Sequence, residues 1–407
     1  MNAFEFDIHL PPFRLESSLE LRELILRGWW SEPGNGLHPV PAVMQARVAP
    51  RTSERERVVA RTDAEPVACD TVVSTPARPT ILVVHALTGD MRAGGPGGWW
   101  EPVIGPGRPL DSERYRILCF NNLGSCYGSS SPDDRHFPSP GSEKGDSSTN
   151  ALPAPVSTWD QARSILLALD TLGIGVVDLL VGGSVGGMIT LCLAALAPDR
   201  FKRVMPVAAS VSASPWIVGF NHIARQCVLG MPGTRGLEVA RQLAHMTYRA
   251  EPGLIERQGR TTTAPDGVDI QAPYRVQTYL DYQGSKIVSR YTPSAYLAQL
   301  GAMDSHDLER KPGWTDGPWA GDEGWGVARL RGDFLCTGIN TDALYLPDQM
   351  RTLTVALRNA GAHAEYAEIR SPHGHDAFLI EWDQLGDLLR RAINEPVRQS
   401  ATPRSPG

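Results

Sequence analysis

The segment Gly182-Gly183-Ser184-Val185-Gly186 places a serine between small residues in the pattern G-x-S-x-G. A serine hydroxyl becomes a useful nucleophile only when a base takes its proton and a third group orients that base. The context here suits that chemistry. The apolar run Val176–Val181 reads as a buried strand, and Gly182–Ala197 as a turn running into a helix. Such a strand–turn–helix elbow is tight enough to require small neighbours, and it lifts the hydroxyl to the carboxyl edge of a sheet. On this geometry the acid and then the histidine follow the serine in the chain. Asp342 sits in a loop after the strand ending near Gly338, where the acid belongs. Asp333 is a rival, but it precedes that strand and falls at the wrong end of the sheet. Ser371-Pro372-His373-Gly374-His375-Asp376-Ala377-Phe378 offers two histidines before the last helix, and the residues alone leave both open. An oxyanion hole needs two backbone N–H groups. Val185 supplies one by following the serine, and the loop after His85 supplies the other at Leu87. His85 itself reads as a structural histidine at a strand end.

The elements that must position these residues alternate along the chain. Pro79–His85, Arg116–Asn121, Met205–Ala209 and Phe334–Gly338 are further short apolar runs that read as strands. Thr158–Leu172 has apolar residues at helical spacing, and helices are also expected over 347–360 and 383–393. Alternating buried strands and helices imply a mostly parallel central sheet with helices on both faces. With the serine elbow, this is the α/β-hydrolase arrangement. Residues 1–212 and 328–394 read as the two parts of that core. Between them, 213–327 carries helical patterns (Asn221–Val228, Leu237–Tyr248, Val276–Val288, Ser294–Leu308) and reads as an inserted helical lid. Residues from Pro12 to Met44 read as short strands and turns. The stretch 45–78 reads as an extended hairpin or mobile insertion, and 395–407 as a disordered tail.

Bulk properties exclude several classes. A net charge of −6 over 407 residues argues against nucleic-acid or anionic-membrane partners. Basic residues cluster only in Arg51–Arg61, where acids alternate with them and make a solvated loop. The six cysteines have neither a CxxC pair nor regular spacing, so reduced thiols are expected rather than a disulfide framework or zinc site. No His/Asp/Glu cluster has metal-ligand spacing, and no metal is expected. The N-terminal residues show no signal-peptide pattern, and no long apolar run suggests a membrane span. A cytoplasmic enzyme acting on small molecules is the expectation.

Several blocks, in fixed order, resemble the homoserine O-acetyltransferases. They are His85-Ala86-Leu87-Thr88-Gly89-Asp90, Gly98-Trp99-Trp100, Ile104-Gly105-Pro106-Gly107 and Asn122–Ser129. Gly183–Met188, Phe220-Asn221 with Arg225-Gln226, Ala244–Arg249, Tyr282-Gln283-Gly284, Ala302-Met303-Asp304 and Ser371–Leu379 continue the series. The resemblance runs from about Phe13 to Ile393, with 45–78 excepted. It implies that His375 is the base, that Arg225 binds the carboxylate of an amino acid, and that Asp376 holds its amino group. It also implies a homodimer through the lid helices and a place in methionine biosynthesis. The implied reaction is ping-pong, with acetyl-CoA as co-substrate and no other cofactor. Ser184 takes the acetyl group and passes it to the hydroxyl of L-homoserine.

The sequence departs from that family's pattern on the acceptor side. Leu229–Gly236 is a shorter loop without aromatics, and Ala343 stands where tryptophan is common. The 45–78 stretch is a further departure. Two other readings therefore accompany the first. One is a sibling acyltransferase that uses serine or another hydroxyl acceptor, or succinyl-CoA as donor, with Arg92 or Arg249 as cations for the succinyl carboxylate. The other is an esterase that hydrolyses the acyl-enzyme.

Overall fold

The structure, a computed structural model, describes residues 2–32, 44–47, 78–138, 153–264, 271–314 and 325–394. Among these, one sheet holds β1 (Asn2–Leu10), β2 (Leu24–Glu32), β3 (Met44–Arg47), β4 (Thr80–Val84) and β5 (Arg116–Phe120). It continues with β6 (Leu179–Gly183), β7 (Arg203–Val207), β8 (Asp333–Ile339) and β9 (His363–Ile369). The spatial order is β9-β8-β7-β6-β4-β5-β2-β1-β3. From β9 to β5 neighbouring strands run parallel. The remaining three join antiparallel, with β1 and β2 paired over their full length from Asn2↔Glu32 to Leu10↔Leu24.

The parallel strands are buried on both faces, which is why they read as continuous apolar runs. Their side chains still alternate between two cores. Leu82, Val84, Leu118, Phe120 and Leu180 enter one cluster, and Ile81, Val83, Ile117, Cys119 and Val181 enter the other. Helices α1 (Thr158–Thr171) and α2 (Val185–Leu196) belong to the first cluster, and α9 (Trp382–Asn394) to the second. Every residue of α2 is buried. Ile189, Leu191 and Leu193 each contribute roughly 1.5–3 kcal/mol by leaving water. Ser157 caps α1 in a reciprocal box with Asp160. Among the described residues, five α-helices lie between β7 and β8: α3 (Pro215–Gly230), α4 (Arg235–Tyr248), α5 (Glu251–Gln258), α6 (Arg275–Val288) and α7 (Pro293–Asp304). Helix α8 (Pro347–Asn359) joins β8 to β9.

Some expectations shift. The strand placed at Val176–Val181 is Leu179–Gly183, and Val177 makes only an isolated bridge to Phe201. The strand placed at Met205–Ala209 ends at Val207 because Ala208 turns left-handed, at φ 46°. Asp333 opens β8 rather than preceding it, still at the end opposite Asp342. Met44–Arg47 is an edge strand on β1, whereas 48–77 and the tail 395–407 lie outside the described residues. No described helix is long and apolar enough to cross a membrane.

Candidate active site

Ser184 follows β6 directly and caps α2 with φ 60° and ψ −127°, a positive-φ conformation that a non-glycine residue adopts only under constraint. Its N–H is held by the Val207 carbonyl at 2.9 Å. The flanking glycines are steric necessities. A Cβ at Gly182 would collide with the Gly186 carbonyl, one at Gly186 with the Val84 carbonyl, and one at Gly183 with the Phe378 ring. Val185 opens α2, so its N–H has no intrahelical partner.

Asp342 and His375 meet at the same edge of the sheet. Asp342 Oδ2 lies 2.6 Å from His375 Nδ1, and both side chains are buried. The other carboxylate oxygen, Oδ1, accepts the Leu344 and Tyr345 amides at 2.8 and 2.9 Å. Thr341 Oγ1 donates to the Ser371 carbonyl at 2.6 Å and accepts from the Gly374 amide at 3.1 Å, stitching the two loops together. His375 Nε2 is buried with no hydrogen-bond partner among the described residues. Burial alone would lower the His375 pKa, but the charge and hydrogen bond of Asp342 outweigh it and the pKa is raised. The imidazole is packed by Tyr345, Tyr248 and Phe378, at centroid distances of 5.1, 5.7 and 5.7 Å. Among the described residues His373 pairs with no carboxylate; its Nε2 is 3.5 Å from Arg257 Nη2.

The histidine loop is also locked to the helical insertion. Gly253 N–H donates to the Pro372 carbonyl at 2.9 Å, and a Cβ on Gly253 would strike that same oxygen. Gly374 has φ 71°, and a Cβ there would strike the Ala250 amide.

The loop after β4 carries Leu87. His85 is fully buried, accepts the Asn122 amide at Nε2 (3.0 Å) and faces the Ala86 carbonyl with Nδ1 (2.7 Å). Burial lowers its pKa, so it is a neutral ring with its proton on Nδ1. Both nitrogens are occupied by backbone, which fits the structural reading of this residue.

Arg225 and Asp376 each have a protein counter-ion. Arg225 Nη2 is 2.5 Å from Asp304 Oδ2, and Asn221 Nδ2 donates to Asp304 Oδ1 at 2.7 Å. Asp376 Oδ2 lies 3.2 Å from Arg249 Nε. Burial raises the Asp376 pKa against the opposing charges of Arg249 and His375. Arg92 pairs with Glu5 of β1 instead. A cleft between α3, α4 and α7 is lined by Ala224, Leu243, Thr247, Tyr248, Met303 and Leu344, next to the acid and the imidazole. Among the described residues no group of His, Cys, Asp and Glu could hold a metal.

The homoserine O-acetyltransferase of Moorella thermoacetica is 35% identical to this chain over 339 residues, covering 77% of the chain and 86% of the relative. The chain belongs to the homoserine O-acetyltransferase family. Residues 79–247 also match the alpha/beta hydrolase fold family. The homoserine O-succinyltransferase of Laribacter hongkongensis is 32% identical over 345 residues, covering 79% of this chain and 87% of its own. Among solved structures, homoserine O-acetyltransferase from Staphylococcus aureus superposes with a TM-score of 0.68 at 25% identity, covering 97% of this chain and 96% of that one. The fold is therefore the α/β-hydrolase fold, and the protein is an enzyme of the homoserine O-acetyltransferase kind.

Sequence reasoning gave no role to Tyr345, Arg241, His245 or Tyr248 around the site of this homoserine O-acetyltransferase family member, and Arg249 entered only as a candidate cation for a succinyl carboxylate. Tyr345 packs on the imidazole and its hydroxyl interacts with Ser184. Arg241, His245, Tyr248 and Arg249 recur at i, i+4, i+7 and i+8 along α4 and its C-cap. That stripe faces the site: Arg241 reaches Thr88 Oγ1 at 3.2 Å and stacks over Tyr248 at 5.6 Å. The helical spacing of these polar residues was the available signal.

Proposed function

We propose that this enzyme moves an acetyl group from acetyl-CoA to the hydroxyl of L-homoserine, within methionine biosynthesis, through an acyl-serine. The observation that carries the reading is the buried Asp342–His375 pair at 2.6 Å beside a serine held in an elbow. In the proposed sequence His375 Nε2 takes the Ser184 proton while Oγ forms a bond to the thioester carbon. The oxyanion is bound by the Leu87 and Val185 amides. The C–S bond then breaks, and CoA leaves as the thiol with the proton from His375. Homoserine next gives its hydroxyl proton to His375 and attacks the acyl carbon. The ester departs, and Ser184 recovers its proton. Asp342 orients the imidazole and stabilises its charged form. The insertion, acting as a lid, keeps water from the acyl-enzyme. Arg225 forks onto the acceptor carboxylate and Asp376 meets its ammonium.

A second reading, succinyl-CoA as donor, is favoured by one feature. Arg249 is mostly buried beside the imidazole loop, and its Nη1 has no hydrogen-bond partner among the described residues. It is a cation for a carboxylate-bearing acyl group. We also propose a cytoplasmic homodimer associating through α3, α4 and α6, where Trp216, Ile223, Met246 and Tyr282 are exposed. Light scattering on the purified protein tests that state.

The deciding experiment is thiol release from acetyl-CoA and from succinyl-CoA, with homoserine, with serine and with no acceptor, beside Ser184→Ala. Release that requires homoserine and vanishes in the variant supports the reading. Equal release without acceptor makes the protein an esterase and removes the role given to Arg225.

A further inference from the structure

The oxyanion loop is gripped from two sides, and one of them is the helical insertion. Three successive carbonyls of this loop are occupied. The core holds the first: Ala86 O accepts from His85 Nδ1 at 2.7 Å and from Gly89 N–H at 3.0 Å. A trans peptide sets its N–H opposite its carbonyl, so this grip aims the Leu87 N–H. The insertion holds the next two. Tyr291 donates its hydroxyl to Leu87 O at 3.1 Å, and Arg290 Nη2 donates to Thr88 O at 2.6 Å. Both residues lie in the short turn between α6 and α7.

That turn is itself anchored. Arg290 Nε donates to the Tyr127 hydroxyl at 3.1 Å, and the Thr292 amide reaches Cys126 Sγ at 3.4 Å. The Tyr291 ring packs edge-on against Tyr127 at 6.4 Å and against Tyr296 at 6.3 Å. From α4, Arg241 adds a bond to Thr88 Oγ1 at 3.2 Å. Tyr291 is buried at 3% exposure, so its hydroxyl has a fixed task rather than a solvent contact.

We propose that Tyr291 and Arg290 are positioning residues for the oxyanion hole: by holding the Leu87 and Thr88 carbonyls they fix the peptide planes behind the Leu87 amide. The hole is then a joint product of core and insertion, complete only when the α6–α7 turn is seated. This rests on the reading of Ser184 as the acylated residue and of Leu87 as an oxyanion donor. Neither side chain touches the reacting atoms. Their effect therefore belongs to the charged tetrahedral state and not to the bound thioester.

The test uses Tyr291→Phe, which removes one hydroxyl and keeps the ring, and Arg290→Gln, at an exposed position. Single-turnover acylation by acetyl-CoA is followed by rapid mixing. Affinity is measured for CoA and for a trifluoromethyl ketone analogue of acetyl-CoA, which forms a tetrahedral anionic adduct with serine. Acylation is expected to slow by about 10- to 100-fold in Tyr291→Phe, less in Arg290→Gln, with the ketone weakened by a similar factor and CoA binding changed by less than about twofold. Acylation within about twofold of the parent in both variants overturns the proposal, as does a loss matched by weaker CoA binding. A parent enzyme whose acylation survives Ser184→Ala would instead remove the acyl-serine reading, a separate result.

Discussion

Asp342 uses its two carboxylate oxygens for two different tasks: Oδ2 binds His375 Nδ1 at 2.6 Å, while Oδ1 is fixed by the Leu344 and Tyr345 amides. The carboxylate therefore cannot rotate without losing backbone bonds, and the imidazole is held with its proton on Nδ1. Asp342→Asn keeps the shape and presents an amide in place of an oxyanion. We expect kcat to fall by about 10³- to 10⁴-fold with the melting temperature nearly unchanged, read by thiol release and calorimetry.

The same pair predicts a pH profile. The base must be neutral to accept a proton, and neighbouring Asp342 raises the pKa of His375 despite burial. The acid limb of kcat/KM should therefore lie above the ordinary imidazole value of about 6.5, with activity rising as pH passes through it. In Asp342→Asn the limb should move to lower pH. A limb that stays in place would detach it from this histidine.

The two neighbouring histidines should separate cleanly. His375→Ala is expected to remove roughly four orders of magnitude of activity or more, and His373→Ala to stay within a few-fold of the parent. His373 is 3.5 Å from Arg257 and pairs with no carboxylate among the described residues, so its loss should leave the proton path alone. Comparable losses in both variants would contradict this assignment.

For the acceptor side, Arg225→Gln should raise the homoserine KM by about 10- to 100-fold and leave acylation by acetyl-CoA intact. Asp304→Asn should act in the same direction more weakly, because Asp304 steers the guanidinium at 2.5 Å. Acylation and acceptor half-reactions measured separately decide the matter.

Two glycines give opposite stability effects. Gly186→Ala places a methyl against the Val84 carbonyl and should destabilise the fold by about 3 kcal/mol in urea unfolding. Gly219→Ala lies inside α3 with open space around the new Cβ. It should stabilise by up to about 1 kcal/mol.

Much of this arrangement was legible in the sequence because the parallel strands are buried on both faces and print as apolar runs. The elbow, the acid loop and the helices α1, α4, α6 and α8 follow from such patterns. Strand β9 was missed because its residues alternate between buried and half-exposed at the sheet edge, and His363-Ala364-Glu365-Tyr366 carries no apolar run. Strand β1 was missed because Glu5, Asp7 and His9 alternate with Phe4, Phe6, Ile8 and Leu10, so it prints no continuous apolar run, and buried Asp7 pairs with Arg27. The counter-ions of Arg225 and Asp376 could not be read at all. Asp304 and Arg249 come from distant helices, and only tertiary packing brings them in.

The glycine contacts between the histidine loop and the insertion have a mechanical consequence. With Gly253 hydrogen-bonded to Pro372 and Gly374 jammed against Ala250, the seam is a weld and not a hinge. Any swing of the α4–α5 junction would tilt the imidazole with it. The orientation of the imidazole and the seating of the insertion are thereby one mechanical variable.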